Sequence, residues 1–341
     1  MAVFGSFADP WIKLFVQQMV DQGGVLGGRP VQVIKYDNAG NPGQVPAGMA
    51  KLVNDDKVCV VAPPGTLQSE LLIGSQQAEI LKVLVVEPGT YDISNFKYTI
   101  NDNASKDFID APVIYYIINV LKPKTVTILS ELVQEDVAVR IPKYVAAFTA
   151  AGIKTIDTIV MPLGVTDMSP YITKVKYENP NLLLLNSNNS ASLFAKQLPE
   201  MGGLPNTTVI GMTIGVTTVN TTNYPAAVGW YSAASYVPGM KSPGIDKMEA
   251  DWAKVNGTAP KFAASAIDYT DLWTAIDAIV LAGSTDREAI NNAAHSGKLV
   301  VPEAPLGSPL TFKADGTCDQ VPSIVKFLAG GQFTIVQNPK Y

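Results

Sequence analysis

The feature that most restricts the fold is an alternation of short, wholly apolar segments with longer helical ones. Segment 58–61 is short and wholly apolar, which is typical of parallel strands that are buried on both faces. Segments 83–86 and 182–185 are also wholly apolar, and an order of strand then helix recurs along most of the chain. Repeated strand–helix units predict an α/β fold with doubly wound parallel sheets covered by helices on both faces.

Hydrophobic periodicity and turn residues predict the individual elements. The predicted strands are 31–36, 58–61, 83–86, 125–129, 181–185, 310–312, 324–327 and 333–336, with a further one beginning at 209. The predicted helices, after a first one containing Pro10, are 46–54, 67–81, 108–121, 135–151, 191–201, 264–282 and 287–294. Gly152 is expected to end one helix, and segment 284–286 to cap the start of the last one. Gly330-Gly331 predicts a hairpin turn.

Length and charge narrow the possible functions. The chain has 341 residues, more than a single core usually supports, so two domains are expected, and a second sheet is predicted to begin near residue 123. Apolar residues make up 47% and charged residues 16%, a globular composition. The net charge of −5 and the absence of a dense basic run argue against nucleic acid as a partner.

Residues that usually hold metals or carry out catalysis are scarce. The two cysteines, Cys59 and Cys318, form no disulfide framework, and the only histidine, His295, is expected at a helix end. No metal site, cofactor or catalytic residue is therefore predicted. The glycine-rich segment 23–28 joins a helix to a strand, the reverse of the order in a phosphate loop. No apolar run reaches the roughly 18 residues that span a bilayer.

Candidate binding residues follow the predicted strands, at the sheet edge where open α/β folds bind ligands. Segment 64–69 places backbone N–H groups at a helix start, which suits a carboxylate, although an ordinary capped helix start has the same sequence. The candidates from this segment are Gly65, Thr66, Gln68 and Ser69.

A second candidate loop, 87–91, contributes Glu87, Gly89, Thr90 and Tyr91. A carboxylate at Glu87 would repel a carboxylate ligand. Glu87 therefore either pairs with a cationic or amide group or stays protonated through desolvation, and a plain solvated loop acid is an equal alternative.

Five consecutive hydrogen-bonding side chains, 186–190, follow a further apolar strand. Asn186, Ser187 and Asn188 are candidates for ligand recognition, although such a run also suits a turn and a helix cap. Tyr269, at the start of the predicted helix 264–282, is a further candidate and equally suits core packing.

Four segments in order carry a family resemblance. The first, 20–42, has a helix end, a Gly-Gly-Val-Leu-Gly turn and then Tyr-Asp-Asn-Ala-Gly-Asn-Pro, and the second, 161–170, runs from Met-Pro through Thr-Asp-Met-Ser-Pro. The third, 266–286, has Ala-Ile-Asp-Tyr leading into a long helix, and the fourth, 307–316, begins with Gly-Ser-Pro-Leu-Thr-Phe. Together they resemble the periplasmic solute-binding proteins of the branched-chain amino acid (Leu/Ile/Val) ABC transporter family, over nearly the whole chain.

The resemblance implies the type I periplasmic binding fold, with two lobes joined by a three-strand hinge near 121–123, 247–250 and 317–323. Lobe 1 would comprise 1–122 and 249–320, and lobe 2 would comprise 123–248 and 321–341. It also implies hinge closure on a small-molecule ligand, a membrane permease as partner, and a periplasmic or extracellular location. By the same correspondence, Thr213 is a ligand residue. Relatives that bind an α-amino acid usually have an acid at this position, which pairs with the ammonium group, so a threonine there disfavours an amino-acid ligand.

Two other functions remain open from the sequence. A ligand-sensing receptor or regulator domain shares the same fold, although the chain contains no recognisable helix-turn-helix. A nucleotide-dependent α/β enzyme is also compatible with a doubly wound fold, although no Gly-x-Gly-x-x-Gly follows a strand.

Overall fold

The structure is a computed structural model of the chain. It describes residues 3–63, 68–89, 91–103, 106–132, 136–187, 190–212, 219, 221–237, 240–257, 266–305, 309–318, 320 and 322–337. Within these ranges, the side chains of residues 3–7, 68, 106–108, 136 and 243 are left out of the description.

Most of the predicted helices are present among the described residues. They are α1 (Val3–Asp21), α2 (Val45–Ala50), α3 (Gln68–Leu81), α4 (Lys106–Tyr116), α5 (Ile141–Ala150), α6 (Ser169–Glu178), α7 (Ala191–Gln197), α8 (Pro243–Asn256), α9 (Ala266–Ala282) and α10 (Arg287–Ala294). Wider π-type turns extend α2 and α4 and precede α5, over Lys51–Asp55, Ile117–Leu121 and Asp136–Arg140. Short 3₁₀ turns lie at Pro42–Gln44, Pro225–Ala227 and Ala329–Gly331.

The strands are short, and most are apolar. They are β1 (Val60–Val61), β2 (Leu84–Glu87), β3 (Thr99–Asn101), β4 (Thr125–Glu131), β5 (Lys154–Met161), β6 (Leu182–Asn186), β7 (Thr208–Gly211), β8 (Tyr231–Ala234), β9 (Val300–Val301), β10 (Leu310–Thr311), β11 (Ser323–Phe327) and β12 (Phe333–Gln337). Every residue of β2 and β6 is buried, as expected for strands covered on both faces.

The chain forms two compact units, residues 1–106 with 238–320 and residues 107–237 with 321–341. The resemblance implies that the chain first crosses between the units near 121–123 and then near 247–250, and both crossings come earlier in the structure. The first comes earlier because Asp110 of α4 is ion-paired with Arg140 of the second unit. The second comes earlier because α8 packs on α1 of the first unit, where the Trp11 and Trp252 rings lie 4.3 Å apart.

The first unit contains a parallel sheet in the order β1-β2-β3 and an antiparallel pair of β10 and β9. The second unit contains a seven-stranded sheet in the order β12-β11-β8-β7-β6-β4-β5. Strands β5, β4, β6, β7 and β8 of that sheet are parallel, whereas β11 runs antiparallel to β8 and β12 runs antiparallel to β11. The predicted fold class, α/β with doubly wound parallel sheets, is confirmed.

Two predicted helix ends are confirmed by their local bonds. Asp286 caps α10, because its carboxylate accepts the Ala289 N–H at 2.9 Å. Gly152 follows α5 with a φ of 74°, and the next amide, that of Ile153, bonds to the Phe148 carbonyl at 2.9 Å.

The predicted strand 31–36 is wrong, because the structure has irregular backbone there. A strand needs a neighbouring strand to receive its backbone hydrogen bonds, and no described strand pairs with this segment. Two side chains of the segment contact neighbouring helices. Lys35 forms an ion pair with Asp9 of α1 at 2.6 Å, and the Tyr36 ring lies so close to Gly48 that a Cβ there would be 2.5 Å from it.

Several elements, including β3, β5, α8 and β8, were not predicted from the sequence. The largest omission is β5, an edge strand that among the described strands pairs only with β4 and keeps most of its side chains partly exposed. Its sequence, Lys-Thr-Ile-Asp-Thr-Ile-Val-Met, mixes polar and apolar residues and lacks the continuous apolar run of the central strands.

An aromatic cluster joins α1, α8 and α9 within the first unit. The Phe15 and Trp273 rings lie 5.6 Å apart edge to face, and the Tyr269 and Trp273 rings 6.2 Å apart. This cluster fixes the start of α9 against α1.

Both cysteines are free thiols. Cys59 is half-buried beside β1, and burial raises the pKa of its thiol. Cys318 is buried and its Sγ donates to the Asn103 carbonyl at 3.4 Å. Among the described residues, no helix has both the length and the apolar character to cross a membrane.

Candidate functional site

The carboxyl ends of β1, β2 and β3 lie at one edge of the first unit's sheet, because the three strands are parallel. Glu87 is the last residue of β2, and Asn101 is the last of β3. Both are buried, and Asp102 after β3 is fully buried. Polar side chains therefore collect where an open α/β sheet binds its ligands.

Glu87 is enclosed by its own loop. The Gly89 N–H donates to the Glu87 Oε2 at 3.2 Å, and the Tyr91 hydroxyl also interacts with this carboxyl. The Glu87 Oε1 is buried and has no hydrogen-bond partner among the described residues. Burial raises the pKa of Glu87 to about 8, and the charge of Asp102 raises it further, against the bonds to Gly89 and Tyr91.

Side chains at the end of β3 and just after it hold the described part of loop 88–91. The Asn101 side-chain amide donates to the Gly89 carbonyl, and the Asn103 amide donates to the Pro88 carbonyl at 3.0 Å. The Tyr91 hydroxyl lies 2.8 Å from the Ser75 Oγ of α3, and its ring packs edge to face on Phe96. The described part of this loop is thus anchored to β3 and to α3.

Two further buried carboxyls lie beside Glu87. Asp102 accepts the Thr274 hydroxyl at 3.3 Å, and its carboxyl interacts electrostatically with that of Asp271 on α9. Burial is the main cause that raises the pKa of both aspartates, and for Asp271 the charge of Asp102 is the second. Since two like charges in a buried pair are unfavourable, the pair retains a shared proton near neutral pH.

The close packing at Gly89 gives a prediction. A Cβ there would lie 2.5 Å from the Glu87 Oε2 and 2.7 Å from the Tyr91 ring, so Gly89→Ala forces one of them to move. We expect it to lower the free energy of unfolding by about 1–3 kcal/mol, as overpacking does. Urea unfolding followed by circular dichroism measures the change.

Gly74→Ala is the matched control, because a Cβ at this position in α3 has no neighbour within 4 Å. Alanine in a helix interior is preferred to glycine by about 0.5–1 kcal/mol, so this variant should be slightly more stable than the wild type. Equal effects of the two substitutions would contradict the packing described at Gly89.

The other predicted residues of the first unit are described only in part. Ser69 lies exposed in the first turn of α3, and the side chain of Gln68 is outside the description. Gly65, Thr66 and Thr90 lie outside the described residues. Their roles stay predictions.

In the second unit, β4, β6 and β7 are parallel neighbours, so Glu131, Asn186 and Gly211 end at the same sheet edge. The Asn186 amide donates to the Ser130 Oγ at 2.9 Å. The buried Glu131 accepts the Ser190 hydroxyl at 2.6 Å and the Ser190 N–H at 3.0 Å. Glu131 thereby fixes the start of α7.

Ser187 is buried, and its Oγ accepts the Ser190 N–H at 3.0 Å. The structure therefore brings Asn186 and Ser187 together in one network with Ser130, Glu131 and Ser190. Asn188 and Thr213 lie outside the described residues, so their proposed contacts stay predictions.

Tyr269 lies in the aromatic cluster of the first unit. It is buried, and its hydroxyl donates to the Gln18 Oε1 at 2.8 Å. Its ring lies 5.7 Å from that of Trp11. These contacts describe a core residue in this conformation, and a ligand contact for Tyr269 stays a prediction.

His295 follows the last turn of α10, where the Nδ1 lies 3.0 Å from the Asn291 carbonyl and the Nε2 lies 3.2 Å from the Thr99 carbonyl. The ring thus joins the helix end to β3. In the part of the chain that the structure describes, no group of three or more His, Cys, Asp or Glu residues is arranged to hold a metal ion.

Sequence reasoning missed Asn101, Asn103, Asp102, Asp271 and Glu131. The run Asn101-Asp102-Asn103 follows a strand in the same way as 186–190, and that signal was present. Asp271 gave no local signal, because a polar residue in a helix usually faces solvent. Only the packing of α9 buries it beside Asp102.

The family model for periplasmic binding proteins matches residues 11–332. A comparison with curated protein sequences gave no match. The match of the model to most of the chain shows that the protein belongs to the periplasmic binding protein family. Membership implies an extracytoplasmic location.

Solved structures of solute-binding proteins resemble the whole chain. One from Rhodopseudomonas palustris BisB5, in complex with 3,4-dihydroxybenzoic acid, has a TM-score of 0.83 and 21% identity, covering 100% of this chain and 93% of its own. A second from R. palustris, in complex with benzoate, has a TM-score of 0.80 and 16% identity, covering 98% and 91%. A branched-chain amino acid binding protein of Streptococcus pneumoniae, in complex with isoleucine, has a TM-score of 0.79 and 16% identity, covering 99% and 96%.

At these identities the likeness shows the fold, which is that of the type I periplasmic binding proteins. These relatives are binding proteins rather than enzymes, and their bound ligands differ in class.

Proposed function

We propose that this protein is the extracytoplasmic solute-binding component of an ABC transporter. Its ligand is a small polar or carboxylate-bearing molecule, namely an amino acid, an amide, or an aromatic or aliphatic acid. The observation that carries the proposal is the collection of polar groups at the carboxyl edge of the parallel strands in each unit, around Glu87 in the first and Asn186 in the second.

The family adds the rest of the mechanism. Ligand binding at the loops that follow these strands, with hinge closure and transfer to a membrane permease, is what membership implies. Bound benzoate, 3,4-dihydroxybenzoate and isoleucine in proteins of the same fold support a carboxylate-bearing solute. A branched-chain amino acid is one member of that range.

Thermal unfolding against a panel of solutes tests the proposal. The panel contains branched-chain and aromatic amino acids, their amides, benzoate, 3,4-dihydroxybenzoate and aliphatic carboxylates. A ligand at about 100 times its dissociation constant adds roughly 2.7 kcal/mol to the native state, so a true ligand raises the midpoint clearly. Protein stripped of bound solute that responds to no compound would contradict the proposed ligand range.

A pair of serine variants localises the response. Ser69 is exposed in the first turn of α3, so Ser69→Ala is expected to leave the ligand-free midpoint unchanged and to reduce the ligand-induced shift. The loss of one hydrogen bond corresponds to about 0.5–1.5 kcal/mol of binding. Ser296→Ala, in the turn after α10, is the control and should keep the full shift.

Deletion of the gene distinguishes transport from sensing. A transport component gives a strain that no longer takes up the identified solute. Intact uptake with a lost response to the solute would favour the receptor alternative.

A further inference from the structure

The carboxyl of Glu87 is unusual for a loop that meets an anionic ligand. It is fully buried at the end of β2, immediately before loop 88–91 in the chain. One oxygen accepts the Gly89 N–H, while the other, Oε1, has no partner in the described part of the chain. An ionised carboxylate in that position would leave a buried charge with an unsatisfied oxygen, which is strongly unfavourable.

The groups around Glu87 are themselves acidic. Asp102 faces it from the end of β3, Asp271 from α9, and Tyr91 from the loop, with Ser75 of α3 behind the tyrosine. Asp268 of α9 in turn acts on Asp271. A charge on Glu87 would be repelled by Asp102, whereas the Gly89 N–H and the Tyr91 hydroxyl favour it. Burial outweighs these two bonds, so the neutral form is the stable one.

We propose that Glu87 is a neutral carboxyl that makes loop 88–91 selective for a carboxylate-bearing ligand, so that such a ligand binds most tightly while Glu87 keeps its proton. This inference rests on the proposed function and names its ligand class. Glu87 acts through the electrostatic potential at the loop and the loop's shape, so it is a positioning residue and need not touch the ligand.

The size of the effect follows from Coulomb's law. Two like charges about 6 Å apart at an effective dielectric constant of about 20 weaken binding by about 100-fold. The affinity for a carboxylate should thus be constant while Glu87 is protonated and should fall by up to about tenfold per pH unit once it ionises. A cationic ligand would show the opposite trend.

The test is isothermal titration of the whole protein, stripped of bound solute, with benzoate and isoleucine at pH 6.0 to 9.5. In the wild type, we expect the affinity for the carboxylate that binds to fall by about 10–100-fold above pH 8. Glu87→Gln keeps a neutral side chain of the same shape, so it should bind as tightly as the wild type at pH 6 and lose the pH dependence. Glu200→Gln, at an exposed glutamate of the second unit, should keep the wild-type profile.

A ligand-free measurement accompanies the titration. The carboxyl ¹³C signal of Glu87, assigned by its absence in Glu87→Gln, should titrate near pH 8 in the absence of any solute. A merely structural role would change the midpoint of unfolding in Glu87→Gln but would leave the pH profile of binding intact.

The inference is overturned if carboxylate binding is independent of pH or strengthens up to pH 9.5, if Glu87→Gln binds weakly at pH 6, or if the Glu87 signal titrates near pH 4. It is also overturned if neither carboxylate binds at pH 6. Binding of a non-carboxylate solute in the thermal panel would then leave the solute-binding role standing, whereas no response to any compound would remove both.

Discussion

Replacement of Asp110 by alanine is expected to lower the free energy of unfolding by about 3–5 kcal/mol, because it removes one partner of a buried ion pair, the carboxylate that accepts from the Arg140 guanidinium. The Arg140 side chain is 7% exposed and that of Asp110 is 1% exposed. The Arg140 Nη2 lies 2.6 Å from the Asp110 Oδ1, and its Nε donates to the same carboxylate at 3.1 and 3.2 Å. The Tyr144 hydroxyl donates to the Asp110 Oδ1 at 2.9 Å, and this hydrogen bond is lost as well.

Urea unfolding measures this effect, with tryptophan fluorescence and circular dichroism recorded together because a protein of two units can unfold in two steps. Asp246→Ala is the control, since it breaks an exposed ion pair with Lys241 whose two side chains are 54% and 77% exposed. Exposed pairs contribute little, so this midpoint should stay close to that of the wild type. An Asp110→Ala midpoint equal to that of Asp246→Ala would contradict the buried pair.

The stability of the ligand-free protein is expected to fall as the pH rises from about 5 to about 8. Burial raises the pKa of Glu87 from 4.5 to about 8, and burial followed by the charge of Glu303 raises that of Asp277 from 3.8 to about 8. The native state therefore retains protons that the unfolded chain releases. Their contribution is complete below the unfolded pKa and is lost as the pH passes through the folded pKa.

Each group contributes a slope of about 1.4 kcal/mol per pH unit within its window. The shared proton of Asp102 and Asp271 adds to the same trend, because the pKa of both is raised. Urea midpoints from pH 5 to pH 8 measure the slope, which Glu87→Gln and Asp277→Asn should each reduce. A stability that is flat or rises over this range would mean that these carboxyls are ionised in the native protein.

The sequence predicted the second unit's sheet better than the first unit's. Strand β6 was evident because it lies inside the sheet and is buried on both faces, which requires a continuous apolar run. Segment 31–36, Val-Gln-Val-Ile-Lys-Tyr, is rich in residues that favour strands, yet it forms no strand, because strand formation depends on a partner that local sequence does not specify. The opposite error concerns edge strand β5. Its mixed sequence did not predict a strand, yet β5 pairs with β4 along its whole length.

The candidate site was likewise predictable where it follows a strand in sequence. Glu87 and Asn186 were found because they end buried strands at the carboxyl edge. Whether Glu87 is solvated or neutral was left open, since that depends on residues distant in the chain.

By itself, the sequence determined the α/β class, the helix ends at Gly152 and Asp286, and the family to which the chain belongs, because apolar periodicity, caps and ordered motifs are local properties. Only the tertiary structure decided the environment of Glu87. It brings Asp102 from the end of β3 and Asp271 from α9 beside β2, and residues far apart in the chain become electrostatic neighbours only when the helix packs on the sheet.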